Sequence, residues 1–165
     1  MRKTIVLSAA ICAAIGAAIL PLARASADDD GMRVKPVNDA KVSKECSACH
    51  MLYPAGLLPA PAWEAMMKGL NDHFGENASL DAETTAAITA YLTANAANAK
   101  GGRDKYSGQQ TAAQDGSLRI SGQAWFRREH DEVTPQMLKR RNAKSISDCK
   151  ACHKDAERGI FEDED

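Results

Sequence analysis

Cys46-Ser47-Ala48-Cys49-His50 and Cys149-Lys150-Ala151-Cys152-His153 decide how this chain is read, because both are Cys-x-x-Cys-His. Two cysteines three apart face one side of a helical turn, so their sulfurs can add to the two vinyl groups of a single haem. The histidine that follows is then placed to reach the iron as proximal ligand. Structural zinc with two such pairs separates them by about 15 to 20 residues, whereas 99 residues lie between Cys49 and Cys149. A thioredoxin-like pair wants a βαβ context, which the sequence lacks. Two short disulfides would close loops too small to add much stability and would leave both adjacent histidines unexplained. The reading is two covalently attached c-type haems, with Cys46, Cys49, Cys149 and Cys152 as attachment points and His50 and His153 on the irons.

The chain has four histidines. His50 and His153 belong to the motifs, so His73 and His130 remain, one for each haem. His73 falls on an apolar stripe with Trp63, Met66, Met67, Leu70 and Phe74, where a ligand role competes with core packing. His130 lies in the charged stretch Arg127-Arg128-Glu129-His130-Asp131, where the competitor is a solvated surface residue. Met66 is a rival sixth ligand for the first iron, since methionine serves in many small cytochromes c. Tyr53, Trp63, Trp125 and Phe126 are candidate haem-pocket walls. Lys139-Arg140-Arg141 with Lys144 reads as a solvated face, a propionate partner or a docking patch.

The N-terminus has the form of a secretory leader. Met1-Arg2-Lys3 is basic, Thr4 to Leu22 is apolar, and the small residues Ala25 and Ala27 precede Asp28, so residues 1–27 are expected to be a cleaved signal peptide. Removing Arg2, Lys3 and Arg24 from 21 basic residues leaves 18 against 22 acidic ones, a net charge of −4. That balance argues against nucleic acid as a partner, because phosphate binding needs a basic surface. Cys12 also leaves, so every remaining cysteine sits in a motif. No later segment is apolar enough to span a bilayer, and no stable membrane insertion is expected after cleavage. The expected location is the periplasm.

Residues 28–42 read as a polar extended arm. The stripe that starts at Trp63 predicts a helix from about Pro61, with Gly75 placed to end it. Asp81 is a fitting N-cap for a second helix running to about Ala96, with Ile88, Tyr91 and Leu92 on one face. Residues 98–117 are polar, glycine-containing and without periodicity, the marks of a linker. Beyond it, Gln123 to His130 and Pro135 to Arg141 suit short helical turns, and convincing strand alternation is missing. The expected organisation is an N-terminal haem unit over 28–97, a linker over 98–117 and a C-terminal haem unit over 118–165. Units this small need a staple beyond side-chain packing.

The residues around the motifs resemble the dihaem cytochrome c family of bacteria. The first half is similar to it in residues 46–54, Leu58-Pro59, Trp63, Met67, Leu70, His73-Phe74-Gly75-Glu76-Asn77-Ala78 and Ile88-Thr89-Ala90-Tyr91-Leu92. The second half is similar in Arg119-Ile120, Trp125-Phe126, Glu129-His130, residues 149–153, Ala156, Gly159 and Phe161. The resemblance implies a mainly α fold of two small c-type haem domains, the first similar to class I cytochrome c and the second short and irregular. It also implies histidine on both faces of each iron and a periplasmic role relaying electrons to or from other redox proteins, such as c-type cytochromes or a membrane-bound oxidoreductase. The linker and the acidic end after Phe161 have no counterpart in that pattern.

The leading expectation is a non-catalytic electron carrier, because an iron saturated by two protein ligands leaves no open position for a substrate. A dihaem peroxidase-like enzyme or a haem-based sensor would each need one labile axial ligand, and the peroxidase would also need acid–base groups beside it.

Overall fold

The computed structural model describes residues 31–99 and 117–162. The expected signal peptide and most of the expected linker lie outside those residues. The protein is mostly helical. In chain order its elements are β1 (Met32–Arg33), α1 (Ala40–Cys46), α2 (Ala60–Lys68), α3 (Ala82–Ala94), α4 (Ala124–Glu129), α5 (Pro135–Arg140) and β2 (Ile160–Phe161), joined by short 3-10 turns.

Asp39 starts α1 by accepting a hydrogen bond from the Val42 amide at 2.9 Å, and Val42 is the helix's buried residue. The arm expected over 28–42 is therefore extended only in part, because Asp39 converts its last stretch into the helix that carries Cys46. Helix α2 begins behind Pro59 with Pro61 in its first turn, where a missing N–H costs nothing. It buries Ala62, Trp63 and Met67. Helix α3 starts at the predicted cap, with Asp81 accepting from Thr84 N at 2.8 Å, and buries Ile88 and Leu92 one turn apart. Each of these two side chains contributes about 1.5–3 kcal/mol by leaving water.

Helices α2 and α3 pack on each other over a core of Val42, Leu58, Trp63, Met67, Ile88 and Leu92. The end of this half returns to its beginning: Ala97 N donates to Leu58 O at 3.0 Å, and Asn98 Oδ1 accepts from Ala60 N at 2.8 Å. That second bond satisfies one of the amides a helix start leaves without an intrahelical partner.

A second core joins Met32 and Leu57 to Trp125 and Phe126 of α4, with Val34, Tyr53 and Phe161 around it. The 3-10 turn Ala55–Leu57 thus sends Leu57 into this core while Leu58 enters the first. Ile120 packs against both. Strand β1 pairs antiparallel with β2, Met32 opposite Phe161 and Arg33 opposite Ile160, so the start of the described chain is sewn to its end. Val34 N donates to Gly159 O at 2.8 Å. Gly159 has φ +75°, and a Cβ there would lie 2.0 Å from Val34 O, so only glycine permits this approach.

A further expectation needs correction. The helix begun at Pro61 ends at Lys68, and Gly69 passes the chain into a 3-10 turn over Leu70–Asp72, so His73 and Phe74 are not on α2. Gly69, Asn71 and Asp72 are weak helix formers, and they break a backbone whose hydrophobic spacing would otherwise continue. The second half also contains a strand, β2, too short to show alternation. Helices α4 and α5 lie where the sequence put helical turns.

Candidate functional site

Two histidine pairs face each other, one in each half. His50 follows the first cysteine pair and lies with its ring centre 6.2 Å from that of His73, the planes 30° apart. Cys46 ends α1, and Cys49 is exposed beside it. His50 Nδ1 lies 2.6 Å from Met51 O, so that nitrogen carries the proton and leaves Nε2 as a free donor pair. His73 closes the Leu70–Asp72 turn. Its amide donates to Glu76 O at 2.7 Å, Gly75 N donates to Asp72 Oδ1 at 3.0 Å, and Ala78 N donates to Leu70 O at 2.8 Å. Phe74 has φ +59° and Gly75 φ +102°, a left-handed corner that turns the chain straight after the histidine. The His73 ring itself makes no hydrogen bond among the described residues.

The second pair has the same separation. His130 and His153 ring centres are 6.2 Å apart, with planes at 81°. Helix α4 ends at His130, whose ring stacks on Phe126 at 3.9 Å and whose Nδ1 lies 2.9 Å from Phe126 O. Cys149–Ala151 form a 3-10 turn, and His153 N donates back to Cys149 O at 2.7 Å. His153 Nδ1 lies 2.8 Å from Glu162 O, just after β2. The strand pair therefore holds the carbonyl that orients this imidazole.

A cavity of about 740 Å³ runs past the first pair and is lined by Cys46, Cys49, His50, Met66, His73 and Phe74. It extends to Arg119, Ser147 and Cys149 of the second half. The dihaem cytochrome c family model matches residues 42–161. The chain belongs to the dihaem cytochrome c family. A solved diheme cytochrome c from Rhodobacter sphaeroides shares 48% identity with a TM-score of 0.66, covering 78% of this chain and 99% of its own. A second structure, of DHC purified from Rhodobacter sphaeroides, shares 47% identity with a TM-score of 0.62 and coverage of 76% and 99%. The diheme cytochrome type c from Shewanella baltica OS155 shares 41% identity at a TM-score of 0.60, covering 74% and 86%. No curated protein matches the chain.

This dihaem cytochrome c carries two covalently attached c-type haems, and its residues fit them. The four cysteines among the described residues are free and stand in the attachment spacing. Two metal–imidazole bonds of about 2 Å in line, with about 1.1 Å from each nitrogen to its ring centre, would put the ring centres about 6.2 Å apart. Both histidine pairs stand at that separation. Among the described residues no three His, Cys, Asp or Glu side chains cluster as they do around a bare metal ion. A donor set of two facing imidazoles suits an iron already held by a porphyrin.

The electrostatics favour neutral donors. Burial, then the charges of His50 and Arg119, lowers the pKa of His73 below the usual imidazole range, and a metal takes imidazole in that neutral form. Burial, with Glu45 adding to it, raises the Cys46 thiol. Burial likewise pushes Cys149 to about 11 against its own backbone amide, with Asp148 and Cys152 adding to the rise.

Tyr53, Trp63 and Phe126 line the cavity, as expected of pocket walls, while Trp125 is buried in the second core. Met66 lines the cavity too. Lys139, Arg140, Arg141 and Lys144 are exposed on and after α5. The sequence reading missed the carbonyls of Met51, Phe126 and Glu162 that orient three of the four imidazoles. They are backbone groups, so residue types carry no signal of them. It also missed the contact between halves in which Tyr53 Oη donates to Ser147 O at 2.8 Å.

Proposed function

We propose that this dihaem cytochrome is a periplasmic, non-catalytic electron carrier, with His50 and His73 ligating the first iron and His130 and His153 the second. When bound, each haem supplies a one-electron couple. The observation that carries the reading is the equal 6.2 Å separation of the two imidazole pairs, each on its own attachment motif. Oriented imidazoles are the second support. Three of the four place Nδ1 against a backbone carbonyl, the arrangement that fixes the tautomer of ligating histidines and raises their basicity. With both axial positions taken by side chains, neither iron retains a site for substrate. Among the described residues no helix is long and apolar enough to cross a membrane. The leader read from residues 1–27 supports export, and other redox proteins are the expected partners.

Carbon monoxide tests the assignment. The reduced wild-type protein should take it up only slowly, at the rate at which an axial histidine lets go, whereas His73→Ala should open one of the two haems to rapid binding and His130→Ala should open the other. If Met66→Ala opens an iron while His73→Ala leaves both closed, the first iron is His/Met ligated and the assignment is wrong. Rapid carbon monoxide binding to the wild-type protein, without loss of a histidine, would favour a peroxidase-like or sensing role instead.

A further inference from the structure

We propose that Arg119, which lies outside both attachment motifs, is a positioning residue for the axial ligand His73 and acts through the ring of Phe74. The proposal rests on the assignment of His73 to the first iron. His130, His50 and His153 are each held by a hydrogen bond from their own ring to a backbone carbonyl. The His73 ring makes no such bond among the described residues, so something else must fix its direction. Its neighbour does: the Phe74 ring lies 4.8 Å from the His73 ring, the planes 52° apart. Phe74 is itself in an unusual place. It is 42% exposed, which is high for a large apolar side chain, and its backbone is left-handed at φ +59°. A bulky residue persists in that conformation only where its surroundings hold it.

Arg119 supplies the outer face. Its guanidinium carbon sits 4.1 Å from the centre of the Phe74 ring, within the range of a cation–π contact. The arginine is anchored at its root, not along its length. Gly122 N and the buried Gln123 Nε2 both donate to Arg119 O, at 3.0 and 3.4 Å, and its amide donates to Ser117 Oγ at 3.1 Å. Ile120, next in the chain, packs against both cores. A rigid base in the second half thus sends one planar cation across to clamp the ring that backs the first half's ligand. Among the described residues Arg119 meets no carboxylate that would draw it elsewhere.

The test measures how readily an external ligand displaces His73. Full-length holoprotein is compared as wild type, Arg119→Ala, Arg119→Lys, Phe74→Leu and the double variant Arg119→Ala/Phe74→Leu, each reduced and mixed with carbon monoxide. Arg119→Ala should raise the rate of carbon monoxide capture at one haem about two- to fivefold, the equivalent of one exposed cation–π contact. Phe74→Leu should raise it at the same haem, and adding Arg119→Ala to Phe74→Leu should change nothing further. Arg119→Lys, which keeps the charge but loses the flat stacking surface, should restore only part of the protection. Effects of the two single variants that simply multiply, or full rescue by lysine, would overturn the route through Phe74 and leave Arg119 a point charge. An unchanged rate in Arg119→Ala would overturn the role altogether. His73→Ala is the control on the underlying assignment: if it opens one iron the assignment stands whatever the arginine variants do, and if it opens neither the positioning role falls with it.

Discussion

Gly159→Ala is the substitution that asks most directly whether the second histidine pair depends on the opposite end of the chain. Two costs add. Alanine at φ +75° sits in the left-handed region, at about 1–2 kcal/mol. Its Cβ would also fall 2.0 Å from Val34 O and 2.9 Å from Val34 C, which are backbone atoms that cannot rotate aside. Strand β1 must withdraw, and the bond from Val34 N to Gly159 O is lost, worth about 1 kcal/mol net. The expected loss is about 2–4 kcal/mol, large against the usual range for single substitutions. Urea unfolding of the holoprotein, followed by haem absorbance, reads it as a lower midpoint. The disturbance should be local at first, because β2 leads into Glu162, whose carbonyl orients His153. The second haem's spectrum should change while the first haem's does not. Gly159→Asn separates the two costs, since asparagine tolerates the left-handed region but still carries a Cβ. A change below about 0.5 kcal/mol in Gly159→Ala would refute the reasoning. Wild-type stability in Gly159→Asn would show that the close approach to Val34 is not limiting.

Two further outcomes are expected. Tyr53 has its pKa pushed up to about 12, first by burial and then by the Cys149 and Asp148 charges, so the folded protein keeps a proton that the unfolded chain releases near 10. Its stabilisation is complete below pH 10 and is lost as pH rises towards 12; thioether formation removes the Cys149 contribution but not the burial. Unfolding midpoints across that window should fall in the wild type and fall less in Tyr53→Phe; equal slopes would count against a buried phenol. We also propose two haem units over 28–97 and 118–165, and fragments test how far they stand alone. Residues 118–165 lack Met32 and Leu57, which bury against Trp125 and Phe126 at about 1.5–3 kcal/mol each. With haem-attachment machinery, 28–97 should take up close to one haem and 118–165 well below one. Full and equally stable loading of 118–165 would show that the arm is dispensable.

Much of the helical frame was legible because it depends on local chemistry. Asp81 had to cap, Pro61 had to sit in a first turn, and Ile88 and Leu92 had to share a face. What failed was the assumption that hydrophobic spacing outlasts backbone propensity. The stripe from Trp63 to Phe74 is real as a sequence pattern, yet Gly69, Asn71 and Asp72 break the helix, and Phe74 ends 42% exposed. Helix α1 was hidden in a polar stretch because one buried residue, Val42, gives no periodicity to read. The pairing of β1 with β2 joins two-residue strands from opposite ends of the chain, and no local pattern can announce a contact of that separation. The proposed ligand set can be drawn up from composition alone, since four imidazoles for two motifs leave one spare for each. Their facing geometry was not, because it is made by loops and carbonyls.

The two sites also differ in a way that bears on how firmly each would hold its proposed ligands. In the first, the spare histidine follows its motif; in the second it precedes it, so the sites are not two copies of one local arrangement. The order matters physically because it decides which element presents the second imidazole. His130 ends a helix, bonds the carbonyl one turn back at 2.9 Å and lies flat on Phe126 at 3.9 Å, so two contacts from its own helix fix its ring. His73 closes a 3-10 turn, and its ring is backed by an exposed phenylalanine at a strained corner. Local contacts define the second site's spare histidine, whereas the first site's, on the clamp proposed above, depends on a residue reaching over from the other half. On the proposed ligand sets, a perturbation confined to that reach, such as Arg119→Ala with the β1–β2 pairing intact, should therefore soften the first iron's coordination and leave the second's unchanged.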